Sequence, residues 1–187
     1  MDTIDLLQHR RSSKKFGDLA PSPAQLEIML KSALRAPDHG RLKPYRFVVI
    51  EKSGMPQFYQ HLAAAVEELQ LGEEALKKAQ GLSQRAPMII GVVAKLEHDI
   101  AKVPVWEQML SAGCATYAIQ LAANAQGFET GWISNQWVKG SALRKAFGCR
   151  DNDQIIALVM IGSPAEGNQI TLANQTENVE GFVNYIK

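Results

Sequence analysis

Two stretches of the chain are apolar on both of their alternating faces, and they restrict the possible fold more than any other feature. Residues 88–94 read Met-Ile-Ile-Gly-Val-Val-Ala, and residues 154–161 have only apolar side chains after Gln154. Short runs of this kind are typical of strands that are covered on both sides of a sheet. The sequence therefore predicts a central sheet with helices packed against it.

The remaining segments supply the helices and outer strands of such a fold. Ser22 and Gln25 enclose a capping box with proline at the first helical position, which indicates that a helix begins there. Further helical spacing of apolar residues covers 58–69 and 106–126, and strand-forming residues cover 45–50 and 130–134. This alternation predicts a layered α/β or α+β fold. We expect one domain, 1–187, because 187 residues are enough for one core and short for two.

The charge balance argues against two classes of protein. The chain has 20 Lys and Arg against 19 Asp and Glu, a net charge of +1, whereas proteins that bind nucleic acids or membrane surfaces carry an excess of cations. The first residues carry acids where a secretory signal carries cations, which predicts a cytoplasmic protein. The most apolar long segment, 106–126, contains too many polar groups to span a bilayer.

The sequence patterns of common catalytic and metal sites are missing. The two cysteines, Cys114 and Cys149, belong to no CxxC motif, and the four histidines show no ligand spacing, so we expect no metal site. No GxGxxG, Walker or GxSxG motif is present. The usual sequence routes to nucleotide binding and to a serine nucleophile are therefore absent.

Positive charge is concentrated in two short segments, each directly after a predicted helix. The first, residues 9–16, reads His-Arg-Arg-Ser-Ser-Lys-Lys-Phe, and the second, residues 35–44, contains three cations and His39. A solvated charge run at a helix end is one interpretation. The other is an anion site, because arginine offers a planar fork to a phosphate and lysine a point charge. If both segments face one small anion, a flavin mononucleotide fits, since it combines a phosphate, a polyol and a flat apolar ring.

Two features predict a partner subunit. Residues 106–126 are apolar or small all round the helix, which favours burial on most sides, and a chain of this size has few elements to provide it. The tail from Ala165 onward is polar except near its end, so it has too little apolar content to fold alone. We expect the helix to lie between the sheet and a second subunit, and the tail to pack on that subunit.

Short motifs along nearly the whole chain carry a family resemblance. Residues 10–16 are similar to an RRSxRxF signature, with lysine in place of arginine at Lys14, and further matches follow in order at 35–39, 43–47, 104–108, 111–115, 125–128 and 146–150. These motifs resemble those of the FMN-dependent nitroreductase family, in particular the small YdjA-type NAD(P)H nitroreductases. The resemblance implies a nitroreductase-like fold with a central mixed β-sheet flanked by helices, in a domain-exchanged homodimer with the C-terminal tail on the partner.

The resemblance also implies a function and a set of site residues. It implies an NAD(P)H-dependent flavin oxidoreductase with a ping-pong cycle, in which NAD(P)H reduces the FMN before a nitro compound, quinone or similar acceptor takes the electrons. No side chain is assigned a catalytic role, because the flavin carries the chemistry. The FMN-binding residues implied are Arg10, Arg11, Ser12, Lys14, Arg35, His39, Trp132, Ile133 and Ser134. The stretch matching the NAD(P) contact is Ala122, Ala123, Asn124, Ala125, Gln126 and Gly127, which a buried helix end explains equally well.

One departure from the family pattern and two alternatives stay open. Many members place a cation near the C-terminus to clamp the phosphate, whereas this chain has Ala-Glu-Gly at 165–167, so the phosphate depends on the segments around Arg10 and Arg35. A flavin-binding or sensing module of the same fold without turnover is the first alternative. A nucleic-acid-binding protein is the second, and the near-neutral charge disfavours it.

Overall fold

The computed structural model describes residues 2–166 and 178–186, and it contains a four-stranded sheet. The strands are β1 (Tyr45–Glu51), β2 (Met88–Ala94), β3 (Glu129–Ile133) and β4 (Gln154–Gly162), in the spatial order β1-β2-β4-β3. Each of the four segments was expected to be a strand. The two doubly apolar segments, β2 and β4, lie side by side in the middle, as their lack of a polar face predicts.

Six α-helices connect and cover these strands. They are α1 (Thr3–His9), α2 (Pro23–Ala33), α3 (Met55–Glu68), α4 (Gly72–Arg85), α5 (Val105–Ala125) and α6 (Ser141–Ala146). The predicted capping box is formed at α2, where the Ser22 hydroxyl accepts from the Gln25 N–H and the Ser22 N–H donates to Gln25 Oε1. One hydrophobic cluster packs α3, α4 and α6 on one face of the sheet, and a second packs α2 and α5 on the other. The result is a three-layer α+β arrangement.

All three strand pairings are antiparallel, so the mixed sheet implied by the resemblance is not formed by these four strands. The connections explain the directions. Two helices, α3 and α4, run out and back between β1 and β2, so β2 begins at the end of the sheet where β1 finished. The single helix α5 between β2 and β3 gives those two strands the same direction, but β4 lies between them and pairs antiparallel with both.

The middle of the sheet packs so closely that one position requires glycine. A Cβ atom on Gly91 of β2 would lie 2.2 Å from Cε2 of Phe147, which directly follows α6. Neighbouring residues of β2 alternate between the two clusters, with Ile89 and Val93 on the α3 side and Ile90 and Val92 on the α5 side. This alternation leaves α5 against one face of the sheet, beside β3.

Predictions for the C-terminal region fall partly outside the described residues. Residues 167–177 are not among them, and with them lies part of the predicted exchange of the tail. Residues 178–186 are exposed, including the large apolar side chains of Phe182 and Ile186. Among the helices of the described residues, none is both long and apolar enough to cross a bilayer.

Candidate functional site

The first basic segment is fixed against β3 by its backbone. The Ser13 N–H donates to the Thr130 carbonyl at 2.7 Å, and the Gly17 N–H donates to the Ser163 carbonyl at 2.7 Å. Gly131 makes this approach possible, because a Cβ atom there would lie 2.7 Å from the Ser13 carbonyl oxygen. Residues 10–16 are therefore held on the sheet rather than left as a free charge run.

Arg10 gives the clearest indication of an anion site. Its guanidinium carbon lies 5.6 Å from the centre of the Tyr117 ring on α5, a cation–π distance. Its Nε is buried without a hydrogen-bond partner, and it is the one such atom of a charged group among the described residues. Burying a charged donor without a partner is costly. A phosphate oxygen or another anionic acceptor at this place would remove the cost.

Tyr117 also lines an open, mostly apolar cavity of about 600 Å³. The cavity lies between α2, the following loop, the outer face of α5 and β3. Its walls include Arg35, Leu110, Cys114, Tyr117, Leu121 and Trp132. Arg35 and Trp132 line the same cavity as Tyr117, and Arg10 lies against the Tyr117 ring, so Tyr117 links three of the predicted FMN residues.

Most of the basic side chains in the two segments have no carboxylate partner. In the described part of the chain, no ion pair involves Arg10, Arg11, Lys14, Arg35 or Lys43. Arg11, Ser12 and Lys14 are exposed, so water satisfies them equally well. Arg10 therefore indicates the anion site, and the other cations add a favourable electrostatic field.

The second basic segment is a tight and internally braced loop. The Asp38 carboxylate accepts from the backbone N–H groups of Leu42 at 3.1 Å and Lys43 at 2.7 Å. Arg41 and Lys43 have positive φ angles of 56° and 44°, which L-residues rarely adopt. Strained backbone of this kind persists only where its surroundings hold it, and it occurs often at ligand sites.

His39 lies elsewhere in this loop and does not line the cavity beside Trp132. Its Nδ1 is 2.6 Å from Oε2 of Glu107 in the first turn of α5. Ten residues of helix separate Glu107 from Tyr117, which is about 15 Å along the axis at 1.5 Å per residue. The His39–Glu107 contact therefore lies away from the place where Arg10 meets Tyr117, while Pro37 and Leu110, near the two residues in the chain, line the cavity.

The predicted residues of β3 divide between the two faces of the sheet. The Trp132 ring is 40 % exposed on the cavity side, and its Nε1 donates to the Ile156 carbonyl at 3.3 Å. The Ile133 side chain packs into the opposite hydrophobic cluster, so only its backbone is left to face a ligand on the cavity side. Ser134 is exposed directly after the strand.

The stretch matched to NAD(P) contact forms the end of α5. Its polar side chains make hydrogen bonds within the fold: Asn124 Nδ2 donates to the Phe128 carbonyl at 2.8 Å, and Gln126 Nε2 donates to the carbonyls of Ala122 at 3.0 Å and Gln25 at 3.3 Å. Ala123 is fully buried. These contacts give the stretch a structural role, and contact with NAD(P) stays a prediction.

Two site residues are missed by the sequence reasoning, and both lie on α5. Glu107 stands inside a motif of the family resemblance, but nothing in the sequence pairs it with His39. Tyr117 lies in a helix whose composition shows no polar face, and its partner Arg10 is more than a hundred residues away in the chain. A helical model of 106–126 placed against the sheet would have shown that Tyr117 points outward.

Within residues 2–166 and 178–186, the outer face of α5 is uncovered. Trp106 and Leu110 are 62 % and 59 % exposed, and Tyr117 and Cys114 continue the same face. A Cβ atom on Gly113 would meet nothing within 4 Å, so this helical glycine borders open space. The helix is thus buried on one face only, and the exposed face is continuous with the cavity at Tyr117.

Comparison with known proteins identifies related sequences. A family model described as the nitroreductase family matches residues 7–163. A Haemophilus influenzae protein named "Putative NAD(P)H nitroreductase" is 58 % identical over 166 residues, which cover 89 % of this chain and 90 % of that protein. "Putative NAD(P)H nitroreductase YdjA" of Escherichia coli K12 is 42 % identical over 164 residues, covering 88 % of this chain and 89 % of that protein.

Solved structures show the same fold. A nitroreductase-like family protein from Bacillus cereus superposes with a TM-score of 0.81 at 19 % identity, covering 100 % of this chain and 97 % of the other. A mutant of NfnB, described as an FMN- and NADPH-dependent nitroreductase from a Sphingopyxis strain, superposes with a TM-score of 0.76 at 16 % identity, covering 99 % of each chain. These matches confirm the fold that the sequence resemblance predicts.

Proposed function

The chain belongs to the nitroreductase family, and on that premise we propose that it is an FMN-dependent oxidoreductase that uses NAD(P)H to reduce nitro compounds, quinones or similar acceptors. The names of its relatives at 58 % and 42 % identity, "Putative NAD(P)H nitroreductase" and "Putative NAD(P)H nitroreductase YdjA", support the electron donor. A structural neighbour described as FMN- and NADPH-dependent supports the cofactor.

One observation carries the proposal: the buried and unpartnered Nε of Arg10, whose guanidinium lies against Tyr117 in the wall of an apolar cavity. The residues there match the three parts of FMN. Arg10 and Arg35 would hold the phosphate, since arginine pairs with phosphate through parallel N–H donors. The Trp132 and Tyr117 rings and the aliphatic wall of the cavity suit a flat apolar ring system.

In this proposal the protein binds and orients, and the chemistry belongs to the cofactor. Bound FMN would supply the hydride-accepting and electron-donating reactivity. Lys14, placed near the ring by the resemblance, would oppose negative charge that develops there. The opening beside Trp132 would admit donor and acceptor in turn, which gives a ping-pong cycle.

We include a homodimer in the proposal because the outer face of α5 is apolar and uncovered. Exposed Trp106 and Leu110 with open space at Gly113 form a surface that suits close helix packing. A second copy placed there would bring its own residues next to the cavity and close it. The His39 loop, which contacts α5 through Glu107, would then lie beside the interface.

The absorption spectrum of the purified protein is the first test. We expect a yellow protein with flavin bands, and colourless protein that takes up no added FMN would refute the proposal. The second measurement is NAD(P)H oxidation with menadione or a nitroaromatic compound. A bound flavin without acceptor-dependent oxidation would instead identify a flavin-binding or sensing module.

A further inference from the structure

The contact between His39 and Glu107 is short and chemically directional. Nδ1 of His39 lies 2.6 Å from Oε2 of Glu107. A carboxylate oxygen only accepts hydrogen bonds, so Nδ1 must carry the hydrogen. In the neutral imidazole this choice leaves Nε2 as an acceptor with a free lone pair. The contact therefore determines both the orientation of the ring and the nitrogen that it presents outward.

Glu107 has a well-fixed position, so its carboxylate can hold the His39 imidazole in one orientation. Its side chain is 26 % exposed, against 58 % for His39, and it belongs to the first turn of α5, where a negative charge is favourable. The next residue, Gln108, is 1 % exposed and makes three hydrogen bonds: its amide accepts from the Glu97 N–H and donates to the carbonyls of Glu97 and Val103. The backbone beside Glu107 is thereby tied to the preceding loop.

The loop that carries His39 is held independently on its other side. Asp38 accepts two backbone N–H groups of the same loop, and the Val103 side chain lies 3.2 Å from the position that a Cβ atom of Gly40 would take. Gly40 has a φ of 76°, a conformation that favours glycine, and a side chain there would press on Val103. The Asp38 carboxylate braces the loop backbone, and Glu107 holds the His39 side chain that the loop presents.

We propose that Glu107 is a positioning residue that holds His39 as the Nδ1–H tautomer, so that Nε2 accepts a hydrogen bond from a hydroxyl or N–H group of the bound flavin cofactor. This rests on the proposed function, because His39 is assigned to the cofactor by the family resemblance. A ribityl hydroxyl and the imide N–H of the ring are the donor groups that FMN offers. If His39 and Glu107 formed only a surface ion pair, FMN binding would not depend on the tautomer of His39.

The first experiment measures the tautomer in the protein without FMN. Long-range ¹H–¹⁵N spectra of ¹⁵N-labelled protein distinguish Nδ1–H from Nε2–H rings, and only four histidines contribute signals. We expect His39, identified with a His39→Gln variant, to be the Nδ1–H tautomer, and Glu107→Ala to change it. The signals of His9, whose Nδ1 donates to the Asp5 carbonyl at 2.8 Å, should stay unchanged and serve as an internal control.

The second experiment measures FMN affinity by quenching of flavin fluorescence. We expect Glu107→Ala and His39→Gln each to weaken binding about tenfold, with the double variant no weaker than either one. Glu107→Gln should bind within about twofold of the unmodified protein, because the amide oxygen still accepts from Nδ1–H. Glu74→Ala, which removes an acid from the first turn of α4 and breaks its pair with Lys78, is the matched control and should change nothing.

Three results would overturn the inference. They are an Nε2–H tautomer of His39 in the unmodified protein, unchanged His39 signals in Glu107→Ala, and additive losses of FMN affinity in the double variant. If the unmodified protein binds no FMN, the proposed function fails and the positioning role fails with it. If FMN binds but Glu107→Ala binds it equally well, only the positioning role is wrong.

Discussion

At the scale of single residues, Arg10 distinguishes an anion site from a solvated charge run. A cation in water satisfies all its N–H donors, whereas Arg10 is packed against Tyr117 and has a buried Nε without a partner. Such a donor gains a charge-assisted hydrogen bond when an anion binds, and because the donor is buried, little water competes with the anion for that bond. The neighbouring exposed cations lack this advantage.

We therefore expect Arg10→Ala to weaken FMN binding by at least tenfold, since hydrogen bonds to charged groups contribute about 1.5–3 kcal/mol. Fluorescence titration gives the affinity, and thermal unfolding without FMN should change little, because the variant loses no folded-state ion pair. Lys77→Ala, which removes one positive charge from the exposed surface of α4, is the control. Equal affinities in the two variants would place the phosphate elsewhere.

Tyr117 supports Arg10 through the face of its ring, so the ring rather than the hydroxyl should matter. We expect Tyr117→Phe to bind FMN normally and Tyr117→Leu to bind it several-fold more weakly, in line with about 0.5–2 kcal/mol for a cation–π contact. FMN titration of the two variants makes the comparison. A loss in the phenylalanine variant equal to that in the leucine variant would show that the hydroxyl, not the ring, is used.

The residues of the site differ in how far the sequence predicts them. Arg10 and Arg35 belong to charge clusters that stand out in a nearly neutral chain, so their importance is visible without a structure. Tyr117 and Glu107 act through residues that are distant in sequence, and a pairing of that kind follows from the packing of α5, not from local pattern. Ile133 lies in the strand that the resemblance assigns to the FMN site, yet the two-residue period of β3 turns its side chain to the other face.

At the scale of elements, α5 has one face in the core and one face open. The core face includes Ala112, Ala115 and Ile119, all fully buried, while Trp106 and Leu110 lie on the open face. Apolar composition all round a helix predicts that both faces are covered, but it does not say by what. Within the described residues, the sheet and α2 account for one face only.

Gly113 tests whether a second subunit covers the open face. In a solvent-exposed helix, replacing glycine with leucine should stabilise by about 1 kcal/mol through helix propensity. If α5 instead packs closely on its copy, we expect Gly113→Leu to convert the dimer to monomer in size-exclusion chromatography with light scattering. Gly81→Leu on α4, where a Cβ atom would meet only the end of Arg85 at 3.8 Å, is the control. A stabilised Gly113→Leu dimer would exclude close packing there.

The strands show what the hydrophobic pattern does and does not determine. The doubly apolar character of β2 and β4 places them in the middle of the sheet. A strand at the edge exposes more of its side chains and one row of unpaired backbone groups. The apolar character does not determine whether neighbouring strands run parallel or antiparallel. Direction depends on how each connection packs: the helix pair α3 and α4 joins antiparallel β1 and β2, and the single helix α6 joins antiparallel β3 and β4.

At the scale of the whole molecule, one charged network ties distant parts of the chain together. Arg150, before β4, donates from Nε and a terminal nitrogen to Asp153 at 3.1 and 2.9 Å and from the other terminal nitrogen to Glu97, after β2, at 2.6 Å. Glu97 is in turn bonded through its backbone to Gln108 of α5. The network therefore joins both central strands to the helix that carries the candidate site.

Asp153 should make the stability of the fold depend on pH. Burial raises the pKa of this carboxyl, but hydrogen bonds from the Arg150 side chain and backbone and the nearby Arg150 charge outweigh it, so the pKa lies below the ordinary 3.8. A carboxyl whose pKa is lower in the folded than in the unfolded chain stabilises the fold above about pH 4, and this contribution is lost as the pH falls through the folded pKa.

We expect Asp153→Asn to lower the free energy of unfolding by about 2 kcal/mol at neutral pH, because the residue is 2 % exposed and its partner is charged. The difference from the unmodified protein should persist down to about pH 5 and shrink steadily below pH 4, as the carboxyl takes up its proton in both states. Urea unfolding at fixed protein concentration measures it, since an associating protein gains stability with concentration. Glu74→Gln, an exposed acid paired with Lys78, should change little at any pH. A difference for Asp153→Asn that is as large at pH 3 as at pH 7 would mean that packing of the side chain, and not its charge, stabilises this part of the fold.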